Sequence, residues 1–424
     1  MKKLFISSLV LVGLFSNAQE IGNSPYASFG IGDVKYDNTI ENASMGGIST
    51  AYMTDFNNSF NFANPAANKN LELTSIKLEG TSESNFFKSN YNNISAKKHS
   101  SYLSNISIAF PLSKKLKFGV GYQPYSSKNY SVFQKTKMDN GIERTQSFTG
   151  KGSVNTLQTG LSYNITPEIG VGLRTNYYFG NVKDIDEITY SDAELINGHE
   201  TNYKVRHFNF TLGAIYQKSF LDEKQFTIGA TTTLGSNNNI QKTYTNSTYL
   251  YIAKDKKVEE TIIEKRNEST PNIFPMEASL GVGYGENSRW FLSTQVDYKK
   301  GKTASFNNPN LSYKDAFKYT VGGWIIPDIN NFRSYFSRVI YRYGAFYEQG
   351  NILLNNQRLN KWGLALGATF PFKKSSINRM SGIDIGIELG KRGTVENNLI
   401  RQNFINLKIG LNFTDKWFRK TKYD

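Results

Sequence analysis

Apolar and polar residues alternate along most of this chain with a period of two. The cleanest stretch lies near the C-terminus, where Ile405, Leu407, Ile409, Leu411 and Phe413 are interleaved with Asn406, Lys408, Gly410 and Asn412. Successive side chains of a strand point to opposite faces, so this stretch predicts a strand with one greasy and one polar side. The same grammar recurs at Ile383, Ile385, Ile387 and Leu389, at Trp362, Leu364, Leu366, Ala368 and Phe370, and at Leu116, Phe118, Val120 and Tyr122. Glycine collects on the polar set. About fourteen such segments can be marked, near residues 70–80, 101–110, 115–123, 153–164, 168–180, 203–217, 225–235, 275–284, 289–300, 317–325, 338–348, 361–371, 381–391 and 402–413.

The links between them alternate in length. Short links fall at 111–114, 166–167, 219–224, 286–288 and 372–380, with a longer one at 326–337 that has room for a turn of helix; long links fall at 81–100, 124–152, 181–202, 236–274, 301–316, 349–360 and 392–401. Outer-membrane barrels have short periplasmic turns and longer outer loops, whereas a soluble sandwich has no reason to follow this rule. Phe110-Pro111, Ile326-Pro327 and Phe370-Pro371 each close a strand on the short-link side, where a missing ladder donor costs least. The expected fold is therefore all-β: a transmembrane antiparallel barrel of about fourteen strands over residues 70–414, closed by the strand carrying Ile405, Leu407, Ile409, Leu411 and Phe413, with residues 415–424 as a short periplasmic tail.

The N-terminus sets the compartment. Lys2 and Lys3 precede the apolar run from Leu4 to Phe15, and Ser16-Asn17-Ala18 ends it. This reads as a signal peptide over residues 1–18, since the run is shorter than the roughly 20 residues of a spanning helix. Residues 19–69 break the strand grammar with Gly30, Gly32, Gly46, Gly47 and the tripeptide Asn64-Pro65-Ala66. Irregular backbone cannot face lipid, so this segment must lie in the periplasm or fold into the lumen, and its mixed apolar and polar content points to the lumen, as a hatch or plug. Both termini are then periplasmic.

Composition narrows the function. The chain has 424 residues, 26 Tyr, 29 Phe, no Cys and a formal net charge of +15. Without Cys there is no lipoprotein anchor, disulfide framework or thiolate site. The basic residues are spread over turns, loops and lumen positions, which fits outer-membrane lipid and lipopolysaccharide phosphates as partners and excludes nucleic acid for an exported chain. An enzyme is not expected, and neither is a cofactor or metal. Of the three histidines, His99 and His199 fall in expected outer loops and His207 near a strand start, and no Gly-x-Ser-x-Gly or His-Glu-x-x-His motif occurs. Asp384 and Glu388 sit two inward positions apart, with Arg174, Arg342 and Lys408 as inward candidates to pair with them.

Met45-Gly46-Gly47, Ala51, Asp55 and Asn64-Pro65-Ala66, together with Ser24-Pro25-Tyr26, Gly390 to Thr394 and Asp415 to Phe418, resemble the FadL-like family of outer-membrane channels, in a Bacteroidota branch. The resemblance covers the whole chain in architecture and the hatch and last strands in motifs. It departs at the end, because about ten residues follow Phe413 where such barrels usually stop on an aromatic. By resemblance, Gly46, Gly47, Asn64, Pro65 and Ala66 belong to the hatch, and Leu411 and Phe413 serve as the recognition end for barrel assembly. The resemblance implies passive uptake of a small hydrophobic ligand, gated by the hatch. It equally implies an alternative, a non-transport partner or scaffold barrel of an outer-membrane secretion or assembly complex. A continuous apolar pocket favours the first, and a filled lumen with an exposed apolar outer surface favours the second.

Overall fold

Fourteen strands form one closed antiparallel barrel in a computed structural model that describes residues 21–22, 24–35, 39–53, 59–90, 94–220, 223–236, 239–253, 256–270, 274–301, 311–331, 333–372 and 380–416. They are β1 (Thr74–Ser89), β2 (Ser95–Pro111), β3 (Leu116–Ser127), β4 (Glu143–Asn164), β5 (Ile169–Tyr190), β6 (Ile196–Ser219), β7 (Lys224–Thr233), β8 (Glu277–Glu286), β9 (Trp290–Lys299), β10 (Ala316–Ile325), β11 (Ile340–Glu348), β12 (Lys361–Pro371), β13 (Gly382–Arg392) and β14 (Ile400–Asp415). Each pairs with the next, and β14 pairs with β1 from Thr74↔Asp415 to Ser89↔Ile400, which closes the ring. The expected signal peptide, Asp55 of the resemblance, and Trp417 and Phe418 of the tail lie outside the described residues.

The alternation reads out as predicted. Ile405, Leu407 and Ile409 are exposed on the outer surface, while Lys408 and Asn412 are buried inside. A belt of exposed Leu, Ile, Val, Phe and Tyr runs round the barrel, including Leu161, Leu173, Leu212, Leu280, Leu292, Val321 and Leu364. Outward apolar and inward polar positions are what a strand needs when one face meets lipid and the other a wet or protein-filled lumen. The 326–337 link does hold helix, a short 3₁₀ turn at Phe336–Arg338.

Several strands run further than the pattern indicated. β4 and β5 are each 22 residues long and β6 is 24, against the roughly 9–11 residues a tilted strand needs to cross a bilayer. On the long-link side their outer halves join three further strands, Tyr130–Lys137, Ile240–Ala253 and Lys256–Thr270, into a six-stranded sheet standing beyond the barrel rim. The expected loops at 81–100, 124–152, 181–202 and 236–274 are thus largely strand, and His99 and His199 lie in strands. Beyond the bilayer both faces of a strand are wet, so nothing maintains the period-two signal there.

Candidate functional site

The inner wall of the barrel carries many glycines, and a large group of them meets the backbone or a ring of the N-terminal segment. A Cβ on Gly344 would lie 2.2 Å from the Met45 carbonyl carbon, and one on Gly322 2.2 Å from the Met45 oxygen. Gly229 faces the Thr50 oxygen, Gly119 and Gly160 the Phe60 ring, and Gly172 and Gly213 the Asn64-Pro65-Ala66 turn. These glycines are therefore seats, and a side chain at any of them would push the segment off the wall. Gly46 and Gly47 both have positive φ, 74° and 106°, directly after the short helix Ile40–Ser44, and let the chain turn along β10 and β11.

Three asparagines hold the irregular backbone of this segment. Asn64 Nδ2 donates to the Thr50 oxygen at 2.6 Å, and its Oδ1 accepts from the Ala66 amide at 3.0 Å. Asn61 donates to Ser49 and Tyr52 carbonyls, and Asn68 Oδ1 accepts from the Asn61 amide at 2.7 Å. These bonds satisfy backbone groups that no sheet supplies. Apolar contacts add to them: Met45, Ile48 and Tyr52 pack with Phe291, Trp324 and Ile340 of the wall.

Charge ties the segment to the barrel in two places. Near the short-link end Glu41 is paired with Lys77 at 2.8 Å and Arg342 at 3.7 Å, Lys77 also faces Asp384 at 3.6 Å, and all four side chains are almost wholly buried. Higher up, Asp33 pairs with Arg392 at 2.5 Å and with Lys35 at 3.1 Å, and Lys35 with Glu83 at 2.8 Å. Burial pushes the Asp33 carboxyl up, but Arg392 and Lys35 more than reverse this and hold it below the usual carboxylate range. Burial likewise pulls the Lys35 ammonium down, and Glu83 and Asp33 overcome it and raise it above its usual value. Of the pairs expected from sequence, Arg342, Arg174 and Lys408 do face inward and are buried. The partners differ: Asp384 takes Lys77, Glu388 takes Lys361 at 3.2 Å, and Arg174 donates to the Phe62 carbonyl and Thr211.

The same region completes the wall. β2 and β3 pair only from Ile106↔Tyr122 to Pro111↔Lys117. Above that, β3 pairs instead with the N-terminal strand Asp33–Val34, through Asp33↔Ser127 and Val34↔Ser126. Val34 stands 48% exposed at this break. The N-terminal segment thus supplies strand to the barrel wall as well as filling the lumen.

Outside the segment a chamber of about 450 Å³ remains. Seven basic residues (Lys35, Arg174, Lys299, Lys300, Lys318, Lys361, Arg392) and five acidic ones (Asp33, Glu83, Glu277, Asp297, Glu348) line it. One flank is aromatic, with Tyr178 stacked on Phe274 at 4.4 Å, Tyr125 edge-on to Tyr178 at 4.6 Å, and His207 against Phe274 at 4.8 Å. His99 lies between Ser84 and Ser101, and His199 bonds to the Tyr244 hydroxyl. Sequence reasoning missed this chamber, because its walls come from a dozen separated segments.

Beyond the rim, the six-stranded sheet carries Val132, Phe133, Ile252, Ile262 and Ile263 exposed, Phe133 at 67% and Ile252 at 62%. Its polar partners are internal: Glu187 accepts from the Tyr249 and Tyr251 hydroxyls, and Lys242 pairs with Glu268.

Comparison with known proteins places this architecture. A family model described as BamG matches residues 1–424. Solved structures with the same fold include a Pseudomonas aeruginosa FadL homologue (12% identity, TM-score 0.60, 90% of this chain and 99% of that one). The P. putida toluene transporter TodX is similar at 13% identity, TM-score 0.58, 92% and 100% coverage. The monoaromatic hydrocarbon channel CymD gives 11%, 0.58, 90% and 99%. At these identities the likeness is one of fold. No curated protein matches the chain in sequence.

Proposed function

Taking as premise that the chain belongs to the BamG family, we propose that it is a sealed partner or scaffold barrel of an outer-membrane secretion or assembly complex. The observation that carries this reading is the combination of a lumen filled by a buried, ion-paired segment with a sheet that projects apolar side chains beyond the rim. A pathway for apolar molecules needs a dry wall, whereas this chamber presents twelve charged side chains. Moving an apolar ligand through it would gain little from desolvation and would disturb the paired charges. Exposed Phe133, Ile252, Ile262 and Ile263 are, in contrast, the kind of surface that a protein partner covers. In this reading residues 19–69 are a fixed plug, both termini face the periplasm, and the projecting sheet faces outward.

A second reading has its own support. The shared fold with channels for hydrophobic compounds and the Tyr125–Tyr178–Phe274 flank favour passive uptake of a small hydrophobic molecule, with the plug acting as a movable hatch. Purification from native outer membranes, followed by mass spectrometry of co-purifying proteins and extracted hydrophobes, separates the two. A stoichiometric outer-membrane protein partner is the expected result. A bound hydrophobe with no partner would overturn the ranking.

A further inference from the structure

We propose that the outer rim of β13, β14, β1 and β2 binds the phosphorylated headgroup of an outer-leaflet lipid through Lys391, Arg401, Lys88 and Lys97. Strand register assembles the site. Lys97 lies opposite Phe86, Phe86 opposite Asn403, Asn403 opposite Lys391, and Lys391 opposite Trp362, so these residues form one outward row. Lys88 lies opposite Arg401 one outward position higher. With neighbouring strands about 4.8 Å apart, Lys97 and Lys391 stand roughly 14 Å from each other, and Lys88 and Arg401 about 7 Å above the line between them. Side chains of this length can converge on one anion above Phe86 and Asn403.

Charge balance points to a ligand. The outward positions of β13 are Ile383, Ile385, Ile387, Leu389 and Lys391; those of β14 run Arg401, Asn403, Ile405, Leu407, Ile409, Leu411, Phe413 and Asp415. On β1 and β2 the outward set at this height is Ser82, Ser84, Phe86 and Lys88 beside Lys97, His99 and Ser101. Asp415 is at the opposite end of the barrel, the nearby Glu388 and Glu83 are buried on the inward face and paired with Lys361 and Lys35, and Glu396 lies in the loop between β13 and β14. Among the described residues none of the four cations has an ion-pair partner, and the buried Nε of Arg401 has no acceptor. Elsewhere beyond the rim several basic residues are compensated: Lys183 and Lys257 share Glu200, and Lys242 takes Glu268. Four uncompensated cations in one patch repel each other unless an anion joins them.

Position identifies the anion as part of a lipid. The row directly below is Ser84, Ile405, Leu389 and Leu364, the top of the lipid-facing belt. Phe86, Trp362 and the exposed Tyr347 mark the interface as an aromatic girdle does, and Lys97 Nζ sits 5.4 Å from the Phe86 ring centre. A ligand here has its chains along the belt and its phosphate in the patch, as a phosphorylated glycolipid would. The inference needs the barrel to sit in an outer membrane and is independent of any protein partner.

The test uses full-length protein, delipidated in detergent and re-equilibrated with bisphosphorylated lipid A, with the same glycolipid after phosphatase treatment, or with inorganic phosphate, and read by native mass spectrometry. Retention of bisphosphorylated lipid A should fall at least about tenfold in the Lys88→Gln/Arg401→Gln variant, two charge-assisted bonds being lost. The control Lys183→Gln/Lys204→Gln should retain it, heat-modifiable gel mobility reporting that both variants are folded. Wild-type protein should hold the dephosphorylated glycolipid as weakly as the variant holds lipid A, and millimolar inorganic phosphate should not compete. Equal retention by wild type and variant, or equal binding of the dephosphorylated lipid, would overturn the proposal in favour of an apolar annulus. Effective competition by inorganic phosphate would overturn it in favour of a free-phosphate site.

Discussion

Asp33 is the residue on which the outer part of the N-terminal segment turns, because Arg392 of the wall and Lys35 of the segment share its carboxylate. Replacing it by Asn leaves two buried cations without that charge, which costs about 3 kcal/mol or more when one partner of a buried set is removed. Asp33→Asn should therefore expose residues 21–35 to limited proteolysis while the barrel keeps its heat-modifiable mobility; unchanged protection would show that the ion pairs do not hold the segment. The pH dependence follows from the direction of each shift. The folded-state value of Asp33 is depressed, so its contribution is complete above the unfolded value of about 3.9 and is lost as pH falls through the lower folded value. That of Lys35 is raised, so its contribution is complete below about 10.4 and is lost as pH rises through the higher folded value. Protease protection of this segment should accordingly be flat from about pH 5 to 9 in the wild type. A single-glycine test is sharper: a Gly172→Val side chain would lie within 2.3 Å of the Pro65 carbonyl carbon. Overpacking of this kind costs roughly 1–3 kcal/mol and should loosen the Asn64-Pro65-Ala66 turn, seen as new cleavage after residue 60.

At the scale of elements, the period-two pattern located all fourteen barrel strands, since each has one face in lipid and one in the lumen. It lost the outer halves of β4, β5 and β6 because sequences such as Glu143 to Gly152 are polar on both faces. It marked no strands over Ile240–Ala253 and Lys256–Thr270, whose Asn and charged residues suit a solvated or partly hairpin loop, although their register runs from Ile240↔Thr270 to Ala253↔Lys256. The inward glycines were visible, but their occupants were not: Gly213 meets Asn64 across about 150 residues of chain, and no local signal encodes such a meeting. A separation about twice as long hid Lys77 as the partner of Asp384, for which Arg174, Arg342 and Lys408 looked equally suitable. The hairpin lends itself to deletion, since β7 and β8 pair directly from Glu277↔Thr233 to Glu286↔Lys224 below it. Replacing residues 240–270 with a short Gly/Ser linker should leave barrel closure and heat-modifiable mobility intact and abolish co-purification of a protein partner. Retained stoichiometric co-purification would move the partner surface elsewhere.

For the whole molecule, closure of the ring and filling of the lumen are two different achievements. The ring is closed by β1 and β14, whose sixteen-residue pairing leaves no free edge in the wall there. The lumen is filled because the N-terminal segment pairs its charges with the wall, seats its backbone on the inward glycines and lends Asp33–Val34 to the break above Ile106. A pore would require both ion-paired clusters to let go, since they grip the segment at separate heights. Full-length protein in planar bilayers should therefore show no steady large conductance at either polarity. The double variant Asp33→Asn/Glu41→Gln removes one carboxylate from each cluster and should produce discrete, fluctuating openings, whereas either single variant should remain closed, because the remaining cluster and the glycine seats still hold the plug. Steady conductance from the wild type would sink the sealed-barrel reading, and a silent double variant would show that the packing on the glycines suffices without the charges.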